Sequence, residues 1–390
     1  MSVAVRSARS PLAFRFTALA LVLLASLAAW PGPAAALDTA AREAILIDMT
    51  SDTVLMEKDA DQPMPTASMS KIMTMYMVFE ALDEGRLSLD DRLPVSEYAW
   101  QKGGSKMFVE VGDRVRVEDL IRGVIVQSGN DASIVLAEAL AGSEEAFGQR
   151  MTDRARELGM ENSNFMNATG WPHPDHYSTA RDLALLAERL INEFPEYYHY
   201  YAELEFTYND ITQGNRNPLL YRDIGADGLK TGHTEEAGYG LTASAERDGR
   251  RLILVVTGLG SAQERADEAA RLMEWGFREF EAVSLFDAGE PVVAVDTWMG
   301  SPDSVDLVPR EDLSVTVRRV VRDELSVSVR VEEPVPAPIA AGDRLGTLII
   351  RAPEQPVREV PLVAAEDVAR KGFFGRVTAG AVHLVTGLVE

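Results

Sequence analysis

The chain has 390 residues, 46% of them hydrophobic and 25% charged, enough for two or three globular domains. Its net charge of -23 argues against nucleic-acid binding and requires that any anionic ligand be met by a local cationic patch. It contains no cysteine, which excludes disulfides, thiolate metal sites and a cysteine nucleophile.

The first segment differs from all that follows. Arg6, Arg9 and Arg15 precede an apolar run from Thr17 to Ala29. Pro31-Gly32-Pro33 breaks that run, and Ala34-Ala35-Ala36 supplies small residues for cleavage. Residues 1–36 therefore read as a secretory signal peptide cut near Ala36. The apolar run is short for a membrane span, which makes a retained anchor the weaker alternative. The mature chain is expected to work outside the cytoplasm.

Ala44–Met49 and Thr53–Glu57, around Thr50-Ser51-Asp52, predict an opening hairpin. Thr66, after Pro63 and Pro65, is a possible N-cap for a helix with Ser68 at its head. That helix continues through Ile72–Phe79, apolar on nearly every side, so it should be central and buried. Val117–Val126 has helical spacing and ends at Gln127-Ser128-Gly129-Asn130. A further helix runs from Asp131 to about Ala141, and Ser143 can cap another through Leu158. Residues 162–178 are irregular, and Thr179–Ile191 is helical. Phe206–Tyr208 and Gly228–Lys230 are short strand pieces. Gly238–Ala245 and Leu252–Gly258 are strong strands, and Ala266–Phe277 is a helix. Helices inserted among antiparallel strands predict an α+β domain over 37–285, with helices on both faces of the sheet.

From 286 to 365 the sequence becomes valine-rich and alternating, with Leu313–Val321 among the expected strands. This is the pattern of a small all-β domain with a structural or spacing role. In the tail, 366–390, Phe374, Val377, Ala381, Leu384 and Leu388 form an amphipathic helical stripe. It is too short and polar to span a membrane. It suits a helix lying in the membrane interface better than one docked on a neighbouring domain.

Three short motifs carry chemistry. In Ser68-Met69-Ser70-Lys71, the spacing of three puts Ser68 and Lys71 on one helix face. A buried lysine with a depressed pKa can activate a serine nucleophile, whereas at a surface helix start the same lysine would simply snorkel into water. The second motif is Ser128-Gly129-Asn130, at a sharp break between helices. The third is Lys230-Thr231-Gly232-His233, at the end of a strand piece. Each is weak alone, and their combination in this order behind a signal peptide is specific. His173-Pro174-Asp175-His176 could suggest a metal, but no third ligand stands at a fixed spacing, so a loop is the better reading and neither metal nor cofactor is expected.

With these motifs, and with Ile121-Arg122-Gly123 and Asp227-Gly228-Leu229 around them, the sequence resembles the low-molecular-weight penicillin-binding proteins that act as D-alanyl-D-alanine carboxypeptidases, peptidase family S11. The likeness runs from about Ala44 to Phe277 and continues more loosely through the β domain. Gly372-Phe373-Phe374-Gly375 is similar to that family's membrane-anchoring helix. The resemblance implies a serine β-lactamase/DD-peptidase-like fold. The expected activity removes the terminal D-alanine from peptidoglycan stem peptides through an acyl-enzyme, with β-lactams as covalent inhibitors. The expected place is the periplasmic face of the cytoplasmic membrane, held peripherally by the C-terminal helix.

In acyl transfer, Ser68 would attack the carbonyl and Lys71, neutral, would act as base, its pKa lowered by burial and by a charged Lys230. Ser128 would relay a proton to the leaving amine and Asn130 would hold the substrate amide. The N–H of Ser68 can supply one oxyanion donor, and by resemblance that of His233 supplies the other. Lys230, Thr231, Gly232 and His233 would line the site for the terminal carboxylate. Arg265 and, less firmly, Arg216 stand where the family carries arginines near that site. A DD-endopeptidase or a β-lactamase could share this fold, although residues 162–178 hold no glutamate and only Asp175 as an acid. A non-catalytic peptidoglycan-binding scaffold would be expected to lack the serine or a lysine, and all are present.

Overall fold

The computed structural model describes residues 38–331 and 334–373. The signal-peptide reading (1–36) and the amphipathic stripe from Phe374 to Leu388 fall outside the described residues.

The opening hairpin is β1 (Ala44–Asp48) and β2 (Thr53–Lys58). Later come β3 (Ala226–Thr234), β4 (Gly238–Arg247) and β5 (Arg250–Leu259). These join the hairpin in an antiparallel sheet of order β2-β1-β5-β4-β3. Side-chain alternation gives that sheet two apolar faces. Ile45, Ile253 and Val255 join a large cluster with the helices inserted between β2 and β3. These helices are α1 (Lys71–Asp83), α2 (Val117–Ile125), α3 (Asn130–Ala141), α4 (Glu144–Glu157) and α5 (Ala180–Glu193). On the other face, Leu46 and Leu252 press on Gly276 of α6 (Ala262–Glu279), where a Cβ would meet each of them at 2.8 Å. The α+β arrangement with helices on both faces follows from this alternation.

α1 is the hub. Ten of its thirteen residues are buried, because apolar side chains recur on every side of it. Ser143, Thr179 and Ser261 each cap a following helix by accepting an N–H three residues on. Thr66 does not cap: the turn after it is 3-10, Ala67–Ser70, and its hydroxyl bonds the Ser70 hydroxyl instead. α6 starts four residues ahead of the expected Ala266, since Ser261 rather than the apolar periodicity sets its start.

The β module opens with β6 (Phe280–Phe286), which pairs with β9 (Leu313–Arg318), so strand pairing begins ahead of the change in composition near Phe286. β7 (Val293–Trp298) and β8 (Ser304–Val308) pair with each other. β10 (Ser326–Val331), β11 (Arg344–Arg351) and β12 (Arg358–Ala364) form an antiparallel set joined to β8. Val320 and Val321 do not extend β9 as the valine run suggested; a 3-10 segment, Arg319–Glu324, takes the place of the strand's end. The expected terminal helix does not begin at 366, because Ala369–Arg370 pairs with Gly300–Ser301. Among the described residues no helix is long and apolar enough to cross a membrane.

One buried charge ties the two modules. Asp48, fully buried, accepts from Arg250 Nε at 2.6 Å and from the Thr316 hydroxyl at 2.7 Å. Asp48→Ala should destabilise the protein by about 3 kcal/mol, because it strands a nearly buried guanidinium. Asp48→Asn, which keeps an acceptor, should cost less. Urea denaturation of both variants checks the order.

Candidate active site

The Ala67–Ser70 turn is held on three sides. Ala67 adopts a left-handed backbone, φ +46°, a strained conformation for alanine, as does Ser128 at φ +59°. Below the turn, Ser70 Oγ lies 2.5 Å from Thr66 Oγ1 and 2.7 Å from His176 Nε2. His176 Nδ1 accepts from the Met166 N–H at 3.2 Å, so Nε2 carries the proton and donates to Ser70. Both ring nitrogens are thereby engaged in packing the 162–178 loop on the turn. Burial, then the charges of His173 and Lys71, hold His176 neutral, at about 4. Gly170 lies against the Ala67 carbonyl so closely that a Cβ would collide with it, and its φ is +76°. Gly232 of β3 also comes close to the turn, where a Cβ would stand 2.8 Å from the Thr66 carbonyl. Its role is to let the strand approach the turn, not to touch a ligand with a side chain.

Lys71 is fully buried at the start of α1. Its Nζ donates to Asn130 Oδ1 at 2.8 Å and to the Thr169 carbonyl at 2.7 Å, and lies 3.1 Å from Ser68 Oγ. Asn130 Nδ2 donates to the Gly103 carbonyl at 2.8 Å, which fixes the amide with its oxygen toward the lysine. A neutral amine has two protons and one lone pair. Two of its three neighbours can only accept, so both protons go to them and the lone pair falls toward the Ser68 hydroxyl. The pKa agrees with this geometry: burial foremost, then the charge of Arg216, lower Lys71 to about 7. Lys102 acts in the same direction, while Glu144 and Asp131 oppose.

Lys230 is not the cation that most lowers Lys71. Lys230 is almost fully buried and donates to the Thr231 carbonyl at 3.3 Å. Burial and the charges of Lys71, Arg216 and Arg265 push it well below the ordinary lysine range. Among the neighbouring cations it is Arg216 that lowers Lys71 most. An anionic carboxylate among these groups would pull Lys230 up again. The motif also lies within β3 rather than at its end.

The other expected residues gather here. Ser128 Oγ is buried with no protein partner, so it is free to bond an incoming atom. Arg216 donates to Ser105, and the Ser105 carbonyl accepts the Asn130 N–H at 2.8 Å. Arg265 lies over Tyr239, 5.8 Å from the ring, with Nε buried and unbonded, and His233 stacks on the same tyrosine at 3.9 Å. Asp131 Oδ1 and Oδ2 accept the N–H groups of Met107, Phe108 and Val109, holding the 105–109 segment beside Asn130. Asp175 is 75% exposed and faces His173 at 3.9 Å, a poor position for a buried base. Thr169 and Gly103 act through backbone carbonyls and carry no side-chain signal in the sequence; only Gly170 hints at a close approach.

A serine hydroxyl aimed at the lone pair of a buried neutral lysine, with a second buried hydroxyl and a cationic rim nearby, defines a serine acyl-transfer enzyme. A family model described as D-alanyl-D-alanine carboxypeptidase matches residues 31–261, and one described as penicillin-binding protein 5, C-terminal domain, matches 280–370. The D-alanyl-D-alanine carboxypeptidase DacC of Escherichia coli is 42% identical over 345 residues, 86% of each chain. Penicillin-binding protein 5 of Haemophilus influenzae superposes with a TM-score of 0.80 at 35% identity, covering 85% of this chain and 98% of its own. Penicillin-binding protein D2 of Listeria monocytogenes, in a cefotaxime-bound form, gives 0.57 at 33% identity over 62% of this chain and 99% of its own. The chain belongs to the D-alanyl-D-alanine carboxypeptidase family, peptidase S11.

Proposed function

We propose that the protein is a serine D-Ala-D-Ala carboxypeptidase that trims peptidoglycan stem peptides, with Ser68 as nucleophile. The observation that carries this is the buried Lys71 Nζ, within hydrogen-bond distance of Ser68 Oγ and of two pure acceptors, Asn130 Oδ1 and the Thr169 carbonyl, which take the protons of a neutral amine and leave its lone pair for Ser68. Ser68 Oγ attacks the carbonyl between the two D-alanines as its proton passes to Lys71 Nζ. The N–H groups of Ser68 and His233 receive the developing oxyanion. The C–N bond breaks, and Ser128 passes the proton held by Lys71 to the departing amine, so D-alanine leaves and Lys71 is neutral again. Water then hydrolyses the Ser68 ester. Lys230, Thr231, Arg216 and Arg265 bind the substrate carboxylate, and Asn130, with one amide proton and one lone pair unspent, holds the substrate amide. A β-lactam acylates Ser68 in the same way; the Listeria relative is known in a cefotaxime-bound form.

D-alanine release from a diacyl-lysyl-D-Ala-D-Ala peptide tests the reaction. Steady release, with slow turnover of bound penicillin, supports a carboxypeptidase; rapid penicillin hydrolysis without peptide cleavage supports a β-lactamase instead. The export signal at 1–36 and the stripe from Phe374 to Leu388 support a place on the outer side of the cytoplasmic membrane, held peripherally. The full mature chain should bind liposomes and a chain lacking 374–390 should not; equal binding would refute the anchor.

A further inference from the structure

We propose that the cleft beside the Ser68 turn receives the substrate residue just upstream of the two D-alanines, and that Glu236 selects a side chain there ending in an ammonium group. This rests on the reaction assigned above, because that reaction sets the direction of the substrate. The cationic groups hold the terminal carboxylate beside Lys230, midway along β3. The scissile carbonyl lies at Ser68, with its oxygen toward the His233 N–H. The substrate therefore runs antiparallel to β3, and its upstream residues pass toward Thr234 and Glu236. β3 is the edge strand of its sheet, so an extended peptide can lie along it.

A cleft of about 230 Å³ opens at that end. Its walls include Ala67, just before Ser68; Gly170 and Trp171, just after Thr169; and Glu236, three residues past His233. Trp171 and Tyr177 are 43% and 37% exposed and give the cleft an aromatic wall. Glu236 is exposed and, among the described residues, has neither a hydrogen bond nor an ion pair, so its carboxylate is uncommitted. An aliphatic chain can lie on the aromatic wall with its ammonium at the acid. The nearby charges do not cancel Glu236. Lys102, 5.1 Å from the Trp171 ring, is matched by Glu144 at 3.5 Å, and His173 is matched by Asp175. His176 has both nitrogens engaged beneath the turn.

The test compares kcat/KM for D-alanine release from acetyl-L-lysyl-, acetyl-L-norleucyl- and acetyl-L-aminoadipyl-D-Ala-D-Ala. The wild type should favour lysyl over norleucyl by about three- to fivefold, the scale of an exposed ion pair. Glu236→Gln should remove that preference, and Glu236→Lys should turn it toward the aminoadipyl peptide. Benzylpenicillin acylation, which needs no upstream cation, should be unchanged in both variants. A lysyl preference that survives Glu236→Gln, or a wild type with no preference, overturns the subsite. Failure of the reaction itself has a different signature: no release from any of the three peptides and no penicillin uptake, which removes the subsite along with it.

Discussion

Ser68→Ala should take up no fluorescent penicillin and release no D-alanine, a loss on the order of 10⁵- to 10⁶-fold in the chemical step, as for other enzymes stripped of their nucleophile. The neighbouring serines cannot replace it. Ser70 lies two residues on, but its hydroxyl is committed to Thr66 and His176 beneath the turn. Ser128 has a free hydroxyl but no base bonded to it. The substitution removes one exposed-side atom from a turn fixed by Ala67, Ser70 and Gly170, so the fold should survive and thermal unfolding should be nearly unchanged. Mass spectrometry of the wild type after penicillin treatment should place the acyl group on the peptide carrying Ser68. Label retained by Ser68→Ala would mean that another residue is the nucleophile.

Lys71→Met should slow acylation by about 10²- to 10⁴-fold, the usual contribution of a positioned general base. Methionine fills the space of the lysine stem but brings neither lone pair nor protons. Lys71→Arg separates the two things a lysine can do. An arginine keeps the positive charge and the donors to Asn130 and Thr169, but it stays protonated throughout the working range. If Lys71 acted only by charge, the arginine variant would keep much of the activity. Because Lys71 acts as a base, Lys71→Arg should be about as slow as Lys71→Met. Stopped-flow acylation by a chromogenic β-lactam measures both, with circular dichroism confirming that each variant is folded.

Much of this site was legible because the chemistry is written in side chains. Ser68, Lys71, Ser128 and Asn130 lie at helix starts or breaks, and Lys230 and His233 on a strand flanked by glycine. Of these, Lys71, Ser128, Asn130 and Lys230 are buried polar groups, and their burial needs a reason. What was not legible acts through the backbone. The Thr169 and Gly103 carbonyls orient Lys71 and Asn130, and any residue type could supply a carbonyl. The part of Arg216 in lowering Lys71 was missed for a related reason: it depends on burial depth and mutual distance, which spacing along the chain does not fix. The fold followed the same division. Strands with period-two alternation and the helix capped by Ser143 emerged in order. The 3-10 turn at Ala67–Ser70, the strand Phe280–Phe286 and the 3-10 segment after Arg318 did not, since tertiary contacts override local preference there. Gly232 shows the limit most clearly. It belongs to the motif, yet its work is to let β3 come within reach of the Thr66 carbonyl.

The most direct test of Lys71 as a neutral base is the pH dependence of the second-order rate constant for acylation by a β-lactam, which reports the groups of the free enzyme. A base must be deprotonated to act. The folded pKa of Lys71 is lowered from 10.5 to about 7, so the active form grows as pH rises through that value. The rate should therefore climb tenfold per unit below about pH 7 and level off above it. Arg216→Gln, which removes a positive charge that depresses Lys71, should move the inflection upward. A rate that is flat from pH 5.5 to 8.5, or an inflection that persists unchanged in Lys71→Arg, would contradict the assignment.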